Sequence, residues 1–108
     1  MNRYLGGVFF LAFIATPALA NMPKGDSQKG ALKAYTCQFC HGETGVSPRD
    51  DYPNMNGQNA QYLYDSMTAY KKGDRGGAMG KLMQQQMSVL NEQDMADIAE
   101  YYAKQATQ

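Results

Sequence analysis

Both cysteines and the only histidine of this 108-residue chain stand together, in the run Cys37-Gln38-Phe39-Cys40-His41. Cys-x-x-Cys-His is the attachment signature of a c-type haem. On a helical turn, two thiols three positions apart lie on nearly one face, where they can reach the two vinyl groups of one porphyrin edge. A histidine directly after the second thiol projects its imidazole at the iron. The motif predicts thioether bonds at Cys37 and Cys40 and an iron ligand at His41.

Two other kinds of site use the Cys-x-x-Cys spacing. A closed structural zinc site needs four ligands, usually two Cys pairs or Cys with several His, and this chain has two Cys and one His in all. A thioredoxin-like redox pair expects a βαβ context, whereas the sequence has no strand pattern. We therefore favour haem attachment over both alternatives.

The first 20 residues have the pattern of a secretory signal peptide. Arg3 gives a basic start, the run from Leu5 to Ala15 is almost wholly apolar, and Ala18-Leu19-Ala20 is a small-x-small cleavage site. The apolar run is shorter than the roughly 20 residues that span a bilayer. Residues 1–20 are thus expected to be removed, which leaves a periplasmic domain of residues 21–108 without stable membrane insertion.

The charge of the mature chain is nearly balanced. Without Arg3, nine Lys and Arg stand against ten Asp and Glu. Such a surface does not suggest nucleic acid or an anionic membrane as a partner.

The mature chain is poor in large apolar side chains. Beyond Ala, Met and Tyr it has eight: Leu32, Phe39, Val46, Leu63, Leu82, Val89, Leu90 and Ile98. A domain of this size buries a modest fraction of its surface and often needs a covalent staple. A covalently held porphyrin would both fill the interior and cross-link the chain.

Three helices and one long loop are predicted from local signals. Asp26 and Ser27 are good N-caps for a helix over 27–39, and residues 42–57 lack periodicity and read as a loop. Asn59 caps a helix over 59–72, whose stripe of Tyr62, Leu63, Met67 and Tyr70 has helical spacing. Asn91 caps the clearest helix, over 91–104, with acidic residues in its first turn.

Several segments together resemble the small class I cytochromes c of bacteria, of the c4, c5 and c553 kind. They are the Cys37–His41 motif, the segment Pro53-Asn54-Met55-Asn56-Gly57-Gln58, the pairs Tyr62-Leu63 and Gly73-Asp74-Arg75, and the run from Leu90 to Ala103. The resemblance implies an all-α fold of about three to five short helices around one haem c. Its N- and C-terminal helices would cross, with Ile98 and Tyr101 against the N-terminal helix near Gly30.

The resemblance also implies a role for Pro53. Its carbonyl would accept a hydrogen bond from Nδ1 of His41, which is the orientation that a histidine ligand needs. The alternative is a turn proline with no link to His41.

The second iron ligand is expected to be a methionine, the usual partner of histidine in these proteins. Met79, Met83 and Met87 are spaced by four and share one helical face, so residue chemistry alone does not separate them. The resemblance favours Met83, which lies seven residues before Leu90, and leaves Met79 and Met87 as alternatives.

The function that the resemblance implies is electron transport, not catalysis. A periplasmic, monomeric carrier would shuttle single electrons between a donor complex or dehydrogenase and a terminal oxidase or reductase of a respiratory chain, through transient contacts with redox proteins. One alternative is a dedicated haem subunit of one periplasmic dehydrogenase. Another is a haem enzyme or gas sensor whose sixth iron position is open.

Overall fold

The computed structural model describes residues 6–12 and 21–107, and in these ranges the regular secondary structure is entirely helical. Five helices follow in order: α1 (Ser27–Lys33), α2 (Gln38–His41), α3 (Ala60–Lys72), α4 (Gly77–Met87) and α5 (Glu92–Ala103). The all-α class and the expected number of helices are confirmed.

Most of the predicted signal peptide lies outside the described residues, including Arg3 and the site Ala18-Leu19-Ala20. Residues 6–12 form no helix, and Val8, Phe9, Phe10 and Leu11 are exposed. Within the described ranges, no helix is both long enough and apolar enough to cross a membrane.

The two longest helices begin at the predicted caps. The Asn59 side chain accepts a hydrogen bond from the backbone N–H of Tyr62 at 3.0 Å, at the start of α3. At α5, Asn91 and Asp94 form a capping box, in which each side chain accepts from the other residue's backbone N–H. These contacts satisfy N–H groups that a helix cannot pair internally.

The helix predicted over 27–39 is two helices. A turn over residues 34–37 separates α1 from α2. The predicted start is correct, because Asp26 accepts hydrogen bonds from the backbone N–H groups of Gln28 and Lys29. The break was not predicted, and its effect is to place the end of the Cys-x-x-Cys-His motif on a short helix of its own.

Helices α1 and α5 pack closely at Gly30. A Cβ atom there would lie 2.0 Å from the backbone O of Asp97 and 2.9 Å from Cβ of Tyr101. Tyr101 thus packs against α1 at Gly30, as expected. Residues 97 and 101 are four apart and share a helical face, and Ile98, the other residue expected near this crossing, lines an internal cavity.

An ion pair joins the same two helices. The side chain of Asp97 is 1% exposed and accepts from Lys33 Nζ at 2.6 Å, Asp26 N at 2.8 Å and Gln93 Nε2 at 2.9 Å. Lys33 Nζ also lies 2.9 Å from Asp94. Because its oxygens are hydrogen-bonded, the buried carboxylate is tolerated.

The interior contains few aliphatic side chains. Its buried apolar residues are Ala34, Leu63, Tyr64, Met87, Met95, Ala96, Ile98, Ala99 and Tyr102. Only Leu63 and Ile98 come from the eight large apolar residues counted in the sequence. Leu32, Phe39, Leu82 and Val89 are exposed instead. Packing of the described residues thus leaves space that the protein itself does not fill.

Candidate haem site

A cavity of about 480 Å³ opens between α2, the loop after it, α3, α4 and α5. Cofactor pockets typically have volumes of about 300–1,000 Å³. The cavity brings together every residue to which the sequence assigned a part in haem binding: Cys37, Cys40, His41, Pro53, Met79, Met83 and Met87. Much of the remaining wall is apolar, with Met55, Leu63, Met67, Ile98 and Ala99 among its residues.

His41 is the last residue of α2 and is 6% exposed. Its Nδ1 lies 2.8 Å from the carbonyl oxygen of Pro53. A carbonyl can only accept, so Nδ1 carries the proton and Nε2 keeps a free lone pair. This is the tautomer and the arrangement of hydrogen bonds that metal-ligating histidines use.

Gly42 lets the chain turn away immediately after His41. Its φ of +82° is a conformation that L side chains rarely adopt. A Cβ at this position would also lie 2.0 Å from the backbone O of Val46. The turn starts the loop that returns Pro53 to the imidazole.

Cys37 and Cys40 are half-buried and are not joined in a disulfide. Burial raises the pKa of Cys37, whereas the thiols of redox-active Cys-x-x-Cys motifs and of metal sites have a lowered pKa. In residues 6–12 and 21–107, no three His, Cys, Asp or Glu side chains gather as a metal site would require.

The three candidate methionines all face the cavity from α4, but they differ in exposure. Met79 is 48% exposed, Met83 is half-buried, and Met87 is 1% exposed and belongs to the core. Their shared face agrees with the spacing of four in the sequence.

Two cavity-lining residues had not been assigned a function from the sequence. Tyr102 is 1% exposed, and its hydroxyl oxygen lies 3.4 Å from the Gly42 carbonyl. Arg75, the one basic side chain among the described cavity-lining residues, lies 4.5 Å above the Tyr70 ring. A buried Tyr needs a partner for its hydroxyl. This requirement is the signal that could have identified Tyr102 as a residue that contacts another part of the chain.

The residues around the cavity fit a covalently attached haem. The wall supplies two unpaired thiols on one side, an imidazole nitrogen beside them, and methionine sulfur atoms from α4. Thiols suit thioether bonds, and His with Met is an established axial pair for haem iron.

Comparison with known proteins identifies the family. The Cytochrome c family model matches residues 27–105. Cytochrome c-554(548) of Halomonas halodenitrificans is 43% identical over 81 residues, which cover 75% of this chain and 98% of that protein. Cytochrome c4 of Pseudomonas aeruginosa is 37% identical over 105 residues, which cover 97% of this chain.

The fold has the same relatives. The crystal structure of reduced cytochrome c4 from Pseudomonas stutzeri superposes with a TM-score of 0.62 at 32% identity, over 76% of this chain and 46% of that one. The chain spans about half the length of the cytochromes c4 that it matches. It therefore belongs to the cytochrome c family, the electron-transfer proteins that carry a covalently attached c-type haem.

Proposed function

We propose that this chain is an exported, monomeric cytochrome c with one haem, which carries single electrons between periplasmic redox proteins. Cys37 and Cys40 form the thioether bonds, His41 and Met83 are the axial ligands of the iron, and Pro53 orients His41. One observation carries the proposal. The Cys-x-x-Cys-His motif and the methionines of α4 line the same, largely apolar cavity.

Exposure favours Met83 over its neighbours as the second ligand. Met79 is 48% exposed, where water would compete with its sulfur for the iron, while Met87 is 1% exposed and packs in the core. Met83 lies between them, half-buried and on the cavity wall. The position seven residues before Leu90, taken from the family resemblance, agrees.

When bound, the haem supplies a one-electron couple between ferric and ferrous iron. The protein's part is to hold both axial ligands and to keep water away with apolar side chains such as Leu63 and Ile98. Binding of the methionine sulfur to the iron and an apolar surrounding both favour the ferrous state. With both axial positions filled there is no place for a substrate, which suits a carrier.

Exposed side chains at the rim of the cavity offer a docking surface. Phe39, Tyr62, Met79 and Leu82 all line the cavity and are between 38% and 70% exposed. An exposed apolar rim supports small, transient contacts, as is usual between redox proteins. Partners would therefore bind where the haem edge is nearest to the surface.

Export rests on the composition of residues 1–20. Their basic start, apolar run and small-x-small end are those of a signal peptide. Thioether attachment of haem in the periplasm would follow removal of this segment.

A dedicated acceptor for one dehydrogenase is the second candidate. The thiosulfate dehydrogenase electron acceptor of Stutzerimonas stutzeri is 31% identical over 67 residues, which cover 62% of this chain. The match leaves open a narrower role, in which one periplasmic dehydrogenase is the electron donor.

The test is to measure electron transfer and peroxidase turnover with the purified holoprotein. A carrier should be reduced and oxidised rapidly and fully by small redox mediators, and it should not bind carbon monoxide or turn over peroxide. Sustained turnover, or a spectral change with carbon monoxide in the ferrous state, would support an open iron position and overturn the proposal. Comparing candidate dehydrogenases as donors then separates a general carrier from a dedicated acceptor.

A further inference from the structure

The loop that carries Pro53 is held by α5 at both of its ends. The Tyr102 hydroxyl lies 3.4 Å from the Gly42 carbonyl, directly after His41, and the neighbouring Tyr101 hydroxyl donates to the Glu43 carbonyl. At the other end of the loop, the backbone N–H of Gly57 donates to the Tyr102 carbonyl at 3.0 Å. One residue of α5 thus contacts the beginning and the end of the loop.

The Tyr102 ring also packs beneath the middle of this loop. A Cβ at Gly45 would lie 2.9 Å from Cδ1 of Tyr102, so the loop backbone rests directly on the ring. Gly45 in turn accepts a hydrogen bond from the backbone N–H of Met55 at 2.7 Å. Met55 is two residues after Pro53. Through Gly45, the Tyr102 ring therefore supports the loop segment that presents the Pro53 carbonyl.

The segment after α5 also contacts the end of this loop. The Asn56 side-chain amide donates to the Ala106 carbonyl at 2.9 Å. Gly57 lies against the same segment, because a Cβ there would come 2.3 Å from Cγ2 of Thr107.

We propose that Tyr102 is a positioning residue for the axial histidine. By fixing Gly42 and Gly57, it sets where the Pro53 carbonyl meets Nδ1 of His41, and so how strong that hydrogen bond is. This inference rests on the proposed role of His41 as an iron ligand.

The expected consequence is electronic as well as structural. A hydrogen bond at Nδ1 makes a ligating imidazole more basic, and a more basic ligand favours ferric iron. Loosening the loop should weaken this bond, raise the reduction potential, and expose the Nδ1 proton to solvent more often.

The test compares variants of the reduced holoprotein, in which exchange of the His41 Nδ1 proton with solvent is followed by nuclear magnetic resonance. Tyr102→Phe keeps the ring and loses the hydroxyl contact with Gly42. Its Nδ1 proton should exchange about fivefold faster, the factor that corresponds to one hydrogen bond of ordinary net strength. Its reduction potential should also rise.

Tyr64→Phe is the matched control. Tyr64 is a buried tyrosine of α3 that is 3% exposed and does not line the cavity. The groups that act on its hydroxyl are Glu92, Thr68 and Asp65, all outside the loop, so Nδ1 exchange and the potential of the variant should match those of the unmodified protein.

Asn56→Ala provides an independent variant if Tyr102→Phe does not take up haem. It removes the contact with Ala106 and should speed Nδ1 exchange by about twofold, in proportion to a weaker, partly exposed hydrogen bond. Nδ1 exchange and potential that are unchanged in the folded variants, or changed equally in Tyr64→Phe, would overturn the inference. Absence of an iron-bound histidine signal in the unmodified protein would instead refute the proposed ligand set.

Discussion

At the residue scale, the two ring nitrogens of His41 have separate tasks. Nδ1 donates to the Pro53 carbonyl at 2.8 Å, which leaves Nε2 for iron. The same cavity is lined by three methionines of α4 with very different exposure. The proposed histidine ligand is thus supported by one observed contact, whereas the methionine ligand must be identified by substitution.

Replacement of Met83 by Ala should remove the second axial ligand. The weak far-red charge-transfer band that marks methionine bound to ferric haem should disappear. The reduction potential should fall by on the order of 100 mV, a modest part of the roughly 0.8 V range over which axial ligands act. Absorption spectroscopy and redox titration of the purified variant measure both effects.

Met79→Ala is the control for this experiment, because Met79 faces the same cavity and is 48% exposed. It should keep the band. If the band survives in Met83→Ala and is lost in Met79→Ala or Met87→Ala, the ligand has been assigned to the wrong methionine.

At the scale of elements, the crossing of α1 and α5 holds together the first and last of the five helices. Gly30 allows the backbones to touch, and the ion pair of Lys33 with Asp97 lies beside this contact. Helix α1 carries the chain into the Cys-x-x-Cys-His motif, and α5 supplies Ile98 and Tyr102 to the cavity wall. The crossing therefore fixes two walls of the site relative to each other.

Gly30→Ala should destabilise the protein by at least about 2 kcal/mol. Alanine favours helices over glycine by about 1 kcal/mol, but its Cβ would lie 2.0 Å from the backbone O of Asp97, and the backbone cannot rotate away as a side chain can. Denaturant unfolding of the holoprotein measures the change. Gly76→Ala, which meets no atom within 4 Å, should change the unfolding free energy by no more than about 1 kcal/mol; equal effects would exclude a specific role for the crossing.

The ion pair predicts how stability depends on pH. Burial tends to raise the pKa of Asp97, but hydrogen bonds from Lys33, Asp26 N and Gln93 outweigh it and lower the pKa on balance. The pKa of Asp94 is also lowered, first by the backbone N–H of Asn91 and then by Lys33. A carboxyl group with a lowered folded-state pKa stabilises the fold above its unfolded pKa of about 3.9, and this stability is lost as pH falls through the folded pKa.

Asp97→Asn should therefore reduce the unfolding free energy by about 2 kcal/mol at neutral pH. The loss should shrink in acid, since the original carboxyl group is then protonated as well. Unfolding curves at pH values from about 3 to 7 measure both effects. A constant difference across this range would contradict the assignment of the stability to the ionised carboxylate.

The sequence predicted those elements whose signals are local. Asn59 and Asn91 cap their helices through residues at most three positions away, so the starts of α3 and α5 were correctly predicted. The close approach of Gly30 to the backbone of Asp97 was not predicted, because the register of two crossing helices depends on their packing and not on a local signal. The ties from Tyr102 to Gly42 and Gly57 span 60 and 45 positions, and no local pattern indicates them.

At the scale of the whole molecule, the cofactor is a part of the interior. Of the eight large apolar side chains in the mature sequence, two are buried and four are exposed, around a cavity of about 480 Å³. Side chains that face an empty cavity lose van der Waals contacts on that side. We therefore expect the fold to depend on the haem for packing as well as for function.

Removal of the attachment site should accordingly unfold the protein. A double Cys37→Ala, Cys40→Ala variant, purified without haem, should lose most of its helical circular dichroism and its cooperative thermal transition. The unmodified holoprotein is the reference, and a haem-free chain that keeps a sharp transition would show that the protein residues alone form a sufficient core.

The most direct test of the account is the alkaline pyridine haemochrome spectrum of the purified protein and of its single Cys37→Ala and Cys40→Ala variants. The position of the reduced α-band reports how many vinyl groups of the haem remain free. The unmodified protein should give the band of a haem with two thioether bonds, inseparable from the chain in acid acetone. Each single variant that retains haem should give the band of one thioether bond. Haem that is extractable from the unmodified protein, or a band at the same position in all three proteins, would contradict attachment through Cys37 and Cys40.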